Sequence, residues 1–263
     1  MPTEIIVVEN ASSDGSAEMV RAEFPEVSLI EPGSNTGYAR GNNLAFAAAK
    51  GKYLLTLNPD TEVTEGALAA ALGTLIMFKG LGVVGARLIL PDGSVQRSVR
   101  GFPSVLGIFG ALTGLDNLGG ALASYTLPRF PYDKSGPAPQ PMGTFLLFRR
   151  EALAAIGDPQ RPFDERFPIF FNEVDLLKRL ADAGWPGWYE HRAVVHHHHG
   201  ASTKQVRPQM IWESHRSLLR YFSKHLHGMA RAALPLLAIL IYVAAFLRAR
   251  GYHAGFRTDH HDM

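Results

Sequence analysis

The sequence predicts an α/β fold, a mixed and mainly parallel sheet with flanking helices. Two observations support this prediction. Short β-rich runs alternate with helix-forming segments over residues 4–90, which is typical of a sheet covered on both faces. The composition, 46% hydrophobic and 19% charged over 263 residues, is that of a folded chain able to bury a full core. The absence of cysteine excludes disulfides, thiolate metal sites and cysteine nucleophiles.

The predicted elements follow one another in a regular order. Strands are expected at 4–8, 27–32 and 52–58, and helices at about 16–24, within 35–51 and at 64–78. Later segments predict a hairpin around Pro91-Asp92-Gly93, a mobile loop with a short apolar helix over 100–141, a strand and helix over 141–157, a helix within 167–184 and a final strand that ends in four histidines.

Charge is divided unevenly along the chain. Residues 1–202 hold 17 basic and 21 acidic side chains, whereas residues 203–263 hold 9 and 3. The body of the protein is therefore acidic, which argues against nucleic-acid binding. The first ten residues show no secretory signal.

An apolar run lies near the C-terminus. It covers the 16 residues 232–247, between Arg231 and Arg248. A membrane-spanning helix needs about 20 residues, so the run predicts a helix lying in the membrane interface with its arginines at the headgroups. A helix buried in the core is the alternative.

Two short stretches carry carboxylates that are suited to chemistry. Asp60 follows a buried strand in Asn58-Pro59-Asp60, where it can hold Mg²⁺ or Mn²⁺; a simple Pro-Asp turn is the alternative. In "FFNEVDLL", Asn172 is expected to cap a helix and Asp175 to complete a capping box. Glu173 is then left to act as a general base, or only to stabilise the helix dipole.

Histidines and glycines mark two further stretches. Alternation along a strand would turn 196 and 198 to one face and 197 and 199 to the other, so at least one could supply a nitrogen to a metal. A histidine-rich surface loop is the alternative. "NTGYARGNN" is polar and glycine-bearing but matches neither common phosphate-loop fingerprint.

Taken in order, six stretches resemble a known family. They are "IIVVENASSDGS", "NTGYARGNN", "LLTLNPDTEV", "MGTFLLFRREAL", "FFNEVDLLKRLADAG" and "HHHHGAS". Over about residues 3–225 they resemble the inverting family 2 glycosyltransferases of GT-A fold, especially the rhamnosyltransferase-like branch. The resemblance implies a transferase domain over 1–225 and a membrane-associating segment over 226–263.

The resemblance also implies an activity. A bacterial enzyme would move a hexose, with inversion, from a nucleoside-diphosphate sugar to a hydroxyl of a glycan or lipid-linked acceptor. It would act in cell-surface polysaccharide biosynthesis, peripherally on the inner, cytoplasmic face of the cytoplasmic membrane, and would depend on a divalent cation (Mg²⁺ or Mn²⁺).

Individual residues acquire roles from the same resemblance. Glu173 falls on the catalytic-base position, with Asp175 beside it as a second catalytic residue. Asp60 and His197 would hold the metal, although four adjacent histidines leave that choice open by one or two positions. Asn58 stands where the family motif has an acidic residue. The nucleotide sugar would be bound by Glu9, Asn10, Asp14, Asn35, Gly37, Arg40, Asn43, Asn58, Gly143 and Thr144.

One departure from the family pattern concerns the first strand. The family begins with an earlier strand, so this chain is expected to lack the first strand, to expose a sheet edge and to bind nucleotide weakly. A catalytically inactive nucleotide-sugar-binding remnant or scaffold is therefore the alternative function. A nucleotidyltransferase on a similar sheet would instead need a glycine-rich loop bearing Lys or Arg.

Overall fold

The computed structural model describes residues 2–198 and 207–250. Its strands and helices, in chain order, are β1 Ile6–Val8, α1 Ser16–Glu23, β2 Ser28–Ile30, α2 Gly37–Ala48, β3 Tyr53–Leu57, β4 Thr61–Val63, α3 Ala67–Met77, β5 Val83–Ile89, β6 Val99–Arg100, α4 Val105–Thr113, β7 Gly136–Pro137, β8 Gln140–Pro141, β9 Phe145–Arg149, α5 Arg150–Ala155, α6 Asn172–Asp182, β10 Gly187–His197, α7 Arg207–His225 and α8 Leu234–Ala249.

The main sheet has six strands and is mixed, as predicted. Its order is β3-β9-β5-β10-β4, and β7 adds to β10. The strands β5 and β10 are parallel, whereas β9 runs antiparallel to both of its neighbours, β3 and β5. The share of parallel pairs is therefore smaller than the sequence predicted, because β9 runs antiparallel to its neighbours and β4 and β7 both pair antiparallel with β10.

The strands β1 and β2 form a separate parallel pair, with Val7 opposite Leu29. None of the six residues in this pair is fully buried. Near its start, Glu4 accepts hydrogen bonds from the backbone N–H groups of Lys50 and Gly51, at 2.7 and 2.9 Å, which places β1 beside the start of β3. In the main sheet β3 is a terminal strand. The absence of a first strand stays a prediction.

Helices cover both faces of the main sheet. This is seen at β9, where successive side chains point to opposite sides of the sheet. Leu146 and Phe148 pack into one buried cluster with residues of α2, α5 and α6. Phe145 and Leu147 pack into another with residues of α3. The apolar run 145–148 of β9 is thus explained by burial on both faces.

A third cluster joins the C-terminal helices to the domain. It brings together α4, the entry to α6, α7 and α8. With the preceding turn, α8 forms a 20-residue helix, Ala230–Ala249, that by length and composition could cross a membrane and of which 17% is buried. Burial in the core is therefore excluded for most of this helix. The helix is longer than the 16-residue apolar run and reaches the length of about 20 residues that a membrane-spanning helix needs. Helix length therefore does not distinguish a helix in the membrane interface from one that spans the membrane.

Candidate active site

Asp60 and His197 face each other where β4 and β10 pair. The antiparallel register sets His197 opposite Thr61, and the backbone N–H of His198 donates to the carbonyl of Asp60 at 2.8 Å. This arrangement brings Nε2 of His197 to 3.5 Å from Oδ2 of Asp60. The pair was predicted from the sequence to share a site, and the structure brings them together.

The protonation of His197 follows from its surroundings. Burial lowers the pKa of His197 and favours the neutral ring. Its Nδ1 lies 2.8 Å from Oε1 of Gln96, an oxygen that only accepts, so Nδ1 carries the hydrogen. The lone pair of Nε2 then points toward the Asp60 carboxylate.

A carboxylate oxygen suits both Mn²⁺ and Mg²⁺, and a neutral imidazole nitrogen can add a ligand to Mn²⁺ more readily than to Mg²⁺. Within residues 2–198 and 207–250, no group of three His, Cys, Asp or Glu side chains could hold a metal ion. Asp60 and His197 would therefore supply two ligands, and phosphate oxygens and water the others, which is the way Mg²⁺ commonly binds.

The histidine run alternates as predicted over 196–198. His196 and His198 line a cavity of about 280 Å³ on the other face of β10, together with Glu62. Nε2 of His198 lies 3.6 Å from the Glu62 carboxylate. Of the described histidines in this run, 196–198, His197 is thus the one whose side chain lies beside the Asp60 carboxylate; His199 falls outside the described residues.

Glu173 lies in the first turn of α6, partly buried against the loop before β9. A Cβ added to Gly143 would come within 3.4 Å of Cγ of Glu173. The hydroxyl of Tyr38 donates to the carbonyl of Gly143 at 3.0 Å. Removal from water raises the pKa of Glu173 to about 7. A carboxylate with this pKa can take up a proton near neutral pH, as a general base does.

The loop before β9 connects these two carboxylates. The backbone N–H of Asn58 donates to the carbonyl of Thr144 at 3.0 Å, two residues before Asp60. Gly143, the preceding residue, lies beside Glu173. The predicted residues Asn58, Gly143, Thr144 and Glu173 are therefore neighbours, and the Asp60–His197 pair lies at the far side of the same loop.

The family follows from a comparison with known sequences. The profile of glycosyl transferase family 2 matches residues 1–157, more than half of the chain. This chain belongs to glycosyl transferase family 2. It is 28% identical over 254 residues to an N-acetylglucosaminyl-diphospho-decaprenol L-rhamnosyltransferase of Mycobacterium tuberculosis, covering 89% of this chain and 78% of the relative. It is also 28% identical over 216 residues to the O-antigen biosynthesis protein RfbC of Myxococcus xanthus, covering 76% of this chain and 15% of RfbC.

Solved structures show the same fold as this glycosyltransferase. The mannosyltransferase PcManGT of Pyrobaculum calidifontis, in complex with GDP-Man and Mn²⁺, aligns with a TM-score of 0.55 at 20% identity, over 94% of this chain and 66% of PcManGT. GalNAc-T7 with UDP, GalNAc and Mn²⁺ aligns with a TM-score of 0.53 at 12% identity, over 95% of this chain and 52% of GalNAc-T7. The fold is therefore that of GT-A glycosyltransferases.

Two predictions about the start of α6 in this glycosyltransferase need correction. The helix begins at Asn172. The N-cap position is Phe171, which has φ +64° and whose side chain makes no capping hydrogen bond. Asn172 is thus not the cap; its side-chain amide donates to the carbonyl of Ile169 at 2.5 Å. Asp175 forms no capping box and does not open to the cleft, because its buried carboxylate is held by Arg179 and His225. Its predicted catalytic role stays a prediction.

The turn after β1 is joined to the start of α2. Oδ1 of Asn10 accepts from the backbone N–H of Thr36 at 2.6 Å, and its amide donates to Asn35 at 3.0 Å. Asn35 in turn accepts from the backbone N–H of Gly37 at 3.0 Å. Glu9 closes its own turn by accepting from the N–H of Ala11 at 3.0 Å. Four of the predicted nucleotide-binding residues thus lie together at the ends of β1 and α2.

The remaining predicted nucleotide-binding residues have structural partners. Asp14 accepts from the backbone N–H of Ser16 at 3.1 Å, at the first residue of α1. Asn43 is buried. Its amide donates to the carbonyl of Phe163 and accepts from the N–H of Phe163, at 3.0 Å each, so it stabilises that loop rather than opening to the cleft. Hydrogen bonding from Asn43 lowers the pKa of Glu165, and the charge of the exposed Arg40 adds weakly to this effect.

Sequence reasoning missed Gln96 and His225. Gln96 is 101 residues from its partner His197, and His225 is 50 residues from Asp175. Neither lies in a recognisable motif. The position of His225 at the end of an amphipathic helix was a weak signal in the sequence, and Gln96 gave none.

Proposed function

We propose that this family 2 glycosyltransferase moves a sugar from a nucleoside-diphosphate sugar to a hydroxyl of a glycan or lipid-linked acceptor, with inversion, in cell-surface polysaccharide biosynthesis. The observation that supports it most is Glu173, whose pKa is raised to about 7. Glu173 lies beside Gly143, in the loop before β9, and the next residue of that loop, Thr144, is hydrogen-bonded to the turn that carries Asp60. A carboxyl tuned to neutral pH and a pair suited to a cation are the two parts that such a transfer needs.

The proposed reaction is one displacement. The acceptor oxygen attacks the anomeric carbon, its proton passes to the Glu173 carboxylate, and the bond from that carbon to the diphosphate oxygen breaks on the opposite face. The configuration inverts, and no protein nucleophile is used. Asp60 and His197 would hold Mn²⁺ or Mg²⁺, which would supply positive charge to the leaving diphosphate.

The substrate class is supported by the relatives. The mycobacterial relative is by its name a rhamnosyltransferase that acts on N-acetylglucosaminyl-diphospho-decaprenol, and RfbC is by its name an O-antigen biosynthesis protein. An apolar surface near the cleft fits a lipid-linked acceptor: α4, which exposes Leu106 and Phe109, packs in the same cluster as Val174 of α6.

Thermal unfolding with nucleotides tests the donor site. The purified protein would be melted with UDP, dTDP and GDP, each with and without Mn²⁺. A nucleotide at about 100 times its Kd adds ~2.7 kcal/mol, which for a chain of this size is roughly 5–10 °C. We expect such a shift with one nucleotide and only with the metal.

Transfer itself is tested with the matching sugar nucleotide and N-acetylglucosaminyl-diphospho-decaprenol as acceptor. NMR of the product linkage gives the anomeric configuration. A retained configuration would contradict the displacement proposed here. A nucleotide shift without transfer to this or any polyprenyl-linked acceptor would favour the inactive binding remnant.

We also propose that α8 rests on the inner face of the cytoplasmic membrane. One side of α8 packs on α7 through Leu237 and Ile241, while most of its other apolar side chains are exposed. The exposed large residues of α8 are Leu236, Ile239, Leu240, Tyr242, Val243, Phe246 and Leu247. The exposed Arg231 and Arg250 at its ends provide charge for anionic headgroups.

Vesicle flotation tests this placement. We expect the protein to float with phosphatidylglycerol vesicles and to be released by alkaline carbonate, as an interfacial helix is; resistance to carbonate would indicate a spanning helix. Ile239→Glu should weaken flotation. Ile76→Glu is the matched control, because Ile76 on α3 is exposed to a similar extent, 56% against 61%. Equal loss in both variants would contradict the proposal.

A further inference from the structure

The carboxylate of Asp175 is the most heavily partnered acid near the cleft. It is fully buried. Arg179 of the same helix lies 2.9 Å from Oδ2, while Lys224 and His225 of α7 lie 2.6 and 2.8 Å from Oδ1. Burial alone would raise the pKa of Asp175, but the hydrogen bond from His225 and the charges of Arg179 and Lys224 lower it below the usual value. Asp175 is therefore held as an anion by two helices.

A second contact between α7 and the start of α6 lies at Phe171. Its φ of +64° is a left-handed conformation that non-glycine residues rarely adopt, and such residues persist only when their surroundings hold them. The ring of Phe171 packs on the ring of Tyr221, with centroids 5.9 Å apart, and Tyr221 packs on His225 at 4.6 Å. The end of α7 thus holds both the residue before α6 and a residue of its first turn.

Glu173 lies between these two anchored residues. It follows Phe171 by two positions and precedes Asp175 by two, so the direction of its side chain is set by the backbone that they fix. Tyr38 faces Glu173 from α2, whereas Arg179, Lys224 and His225 face Asp175. The end of α7 therefore acts on Glu173 through the backbone rather than by touching it.

We infer that Lys224 and His225 are positioning residues for Glu173: by holding Asp175 they fix the first turn of α6 and aim the base at the cleft. This inference rests on the proposed role of Glu173 in glycosyl transfer. Removal of one partner leaves a buried charge incompletely paired, which drives local rearrangement. A displacement of about 1 Å at a catalytic group can cost ~100-fold in rate.

Two matched lysine variants test the inference. Lys224→Met removes the charge that lies beside Asp175, at 2.6 Å, and beside Asp164, at 2.7 Å. Lys178→Met removes a charge from the middle of α6, where Lys178 pairs with Asp182 at 2.5 Å. The two side chains are similarly exposed, 25% and 27%. We expect Lys224→Met to lower kcat by ~10- to 100-fold with little change in the KM of donor or acceptor. Lys178→Met should leave both unchanged.

A histidine pair supplies the conservative rescue. His225→Ala removes the hydrogen bond to Asp175, and His225→Gln restores a donor of similar reach. We expect the alanine variant to lose kcat as Lys224→Met does, and the glutamine variant to recover most of it. If the alanine variant does not fold, Lys224→Met and His225→Gln still decide the question.

A second readout does not need activity. The carboxyl carbon of Glu173 would be titrated by ¹³C NMR, with its signal identified by its loss in Glu173→Gln. We expect a midpoint near neutral pH in the wild type and a lower one in Lys224→Met, because a loosened turn admits water to the carboxyl. A lower melting temperature with unchanged kcat and unchanged Glu173 midpoint would overturn the inference. If the wild type transfers no sugar, the titration still tests positioning separately from the proposed function.

Discussion

The two carboxylate sites of the cleft differ in how they are built. Asp60 lies in a turn between two short strands, and its partner His197 comes from the end of β10. Glu173 lies on a helix whose first turn is held from behind by a second helix. The first site is assembled from strand ends that open toward the cleft, whereas the second is enclosed by packed helices.

This difference matches what each carboxylate is proposed to do. A cation ligand has to remain charged and reachable by phosphate and water. A general base has to be withdrawn from water so that its proton affinity comes close to neutral pH, as burial achieves for Glu173. Two side chains of similar chemistry thus acquire different roles from the elements that carry them.

The largest effect is expected from Glu173→Gln. Gln keeps the shape of the side chain but cannot take up the acceptor proton, so kcat should fall by ~100- to 10,000-fold. The metal-dependent thermal shift with nucleotide should persist, because the Asp60 site is intact. Glu151→Gln, at an exposed position in the first turn of α5, is the control and should retain full activity. Near-normal transfer by Glu173→Gln would refute the assignment of the base.

Asp60→Asn should act on the other site. It keeps the shape and removes the charge, so the Mn²⁺-dependent part of the nucleotide shift, roughly 5–10 °C at saturating nucleotide, should disappear. Glu62→Gln is the control, because Glu62 follows on β4 but faces His198 on the other side. An equal loss in both variants would show that the shift reports general surface charge.

The pH dependence of kcat/KM should reflect the enclosed site. A base must be unprotonated to act, and the pKa of Glu173 is raised to about 7. We therefore expect kcat/KM to fall about tenfold for each pH unit below 7. A plateau down to pH 5, measured with a donor whose binding is unchanged over that range, would contradict an enclosed base.

The smallest effect is expected on stability. The folded pKa of Glu173 is above its ordinary value of 4.5, so the folded state binds this proton more tightly and loses stability as pH rises from 4.5 to about 7. Gln removes this loss. Because Glu173 is partly exposed, we count a pKa difference of only one from this rise, which corresponds to about 1.4 kcal/mol or roughly 3–5 °C. Glu173→Gln should therefore melt higher than the wild type at pH 8 and equally at pH 4.

The sequence predicted the α/β order and the Asp60–His197 pair because both depend on local patterns. Strand alternation only separated 197 and 199 from 196 and 198, and the family resemblance then selected His197. The turn after β3 placed Asp60 at a strand end. The mixed direction of the sheet was underestimated, since nothing in the apolar sequence of β9 shows which way it runs.

The role of Asp175 could not be predicted from local sequence. Its position in the first turn of a helix favours capping, yet its partners Lys224 and His225 come from an element fifty residues later. The left-handed Phe171 is likewise invisible in the sequence, because its partner Tyr221 lies fifty residues later in the chain. Long-range contacts of this kind decide the site and leave no periodic signal.

The separate β1–β2 pair has a consequence for cooperativity. Two three-residue strands with no fully buried side chain cannot be stable by themselves, so this part of the chain should open more easily than the six-stranded sheet. Amide exchange should therefore be fast at Val7 and slow at Leu146. If Glu9, Asn10 and Asn35 do bind the nucleotide, the open form of this β1–β2 segment has to fold before or as the donor binds. The free energy of that ordering reduces the observed affinity for the donor.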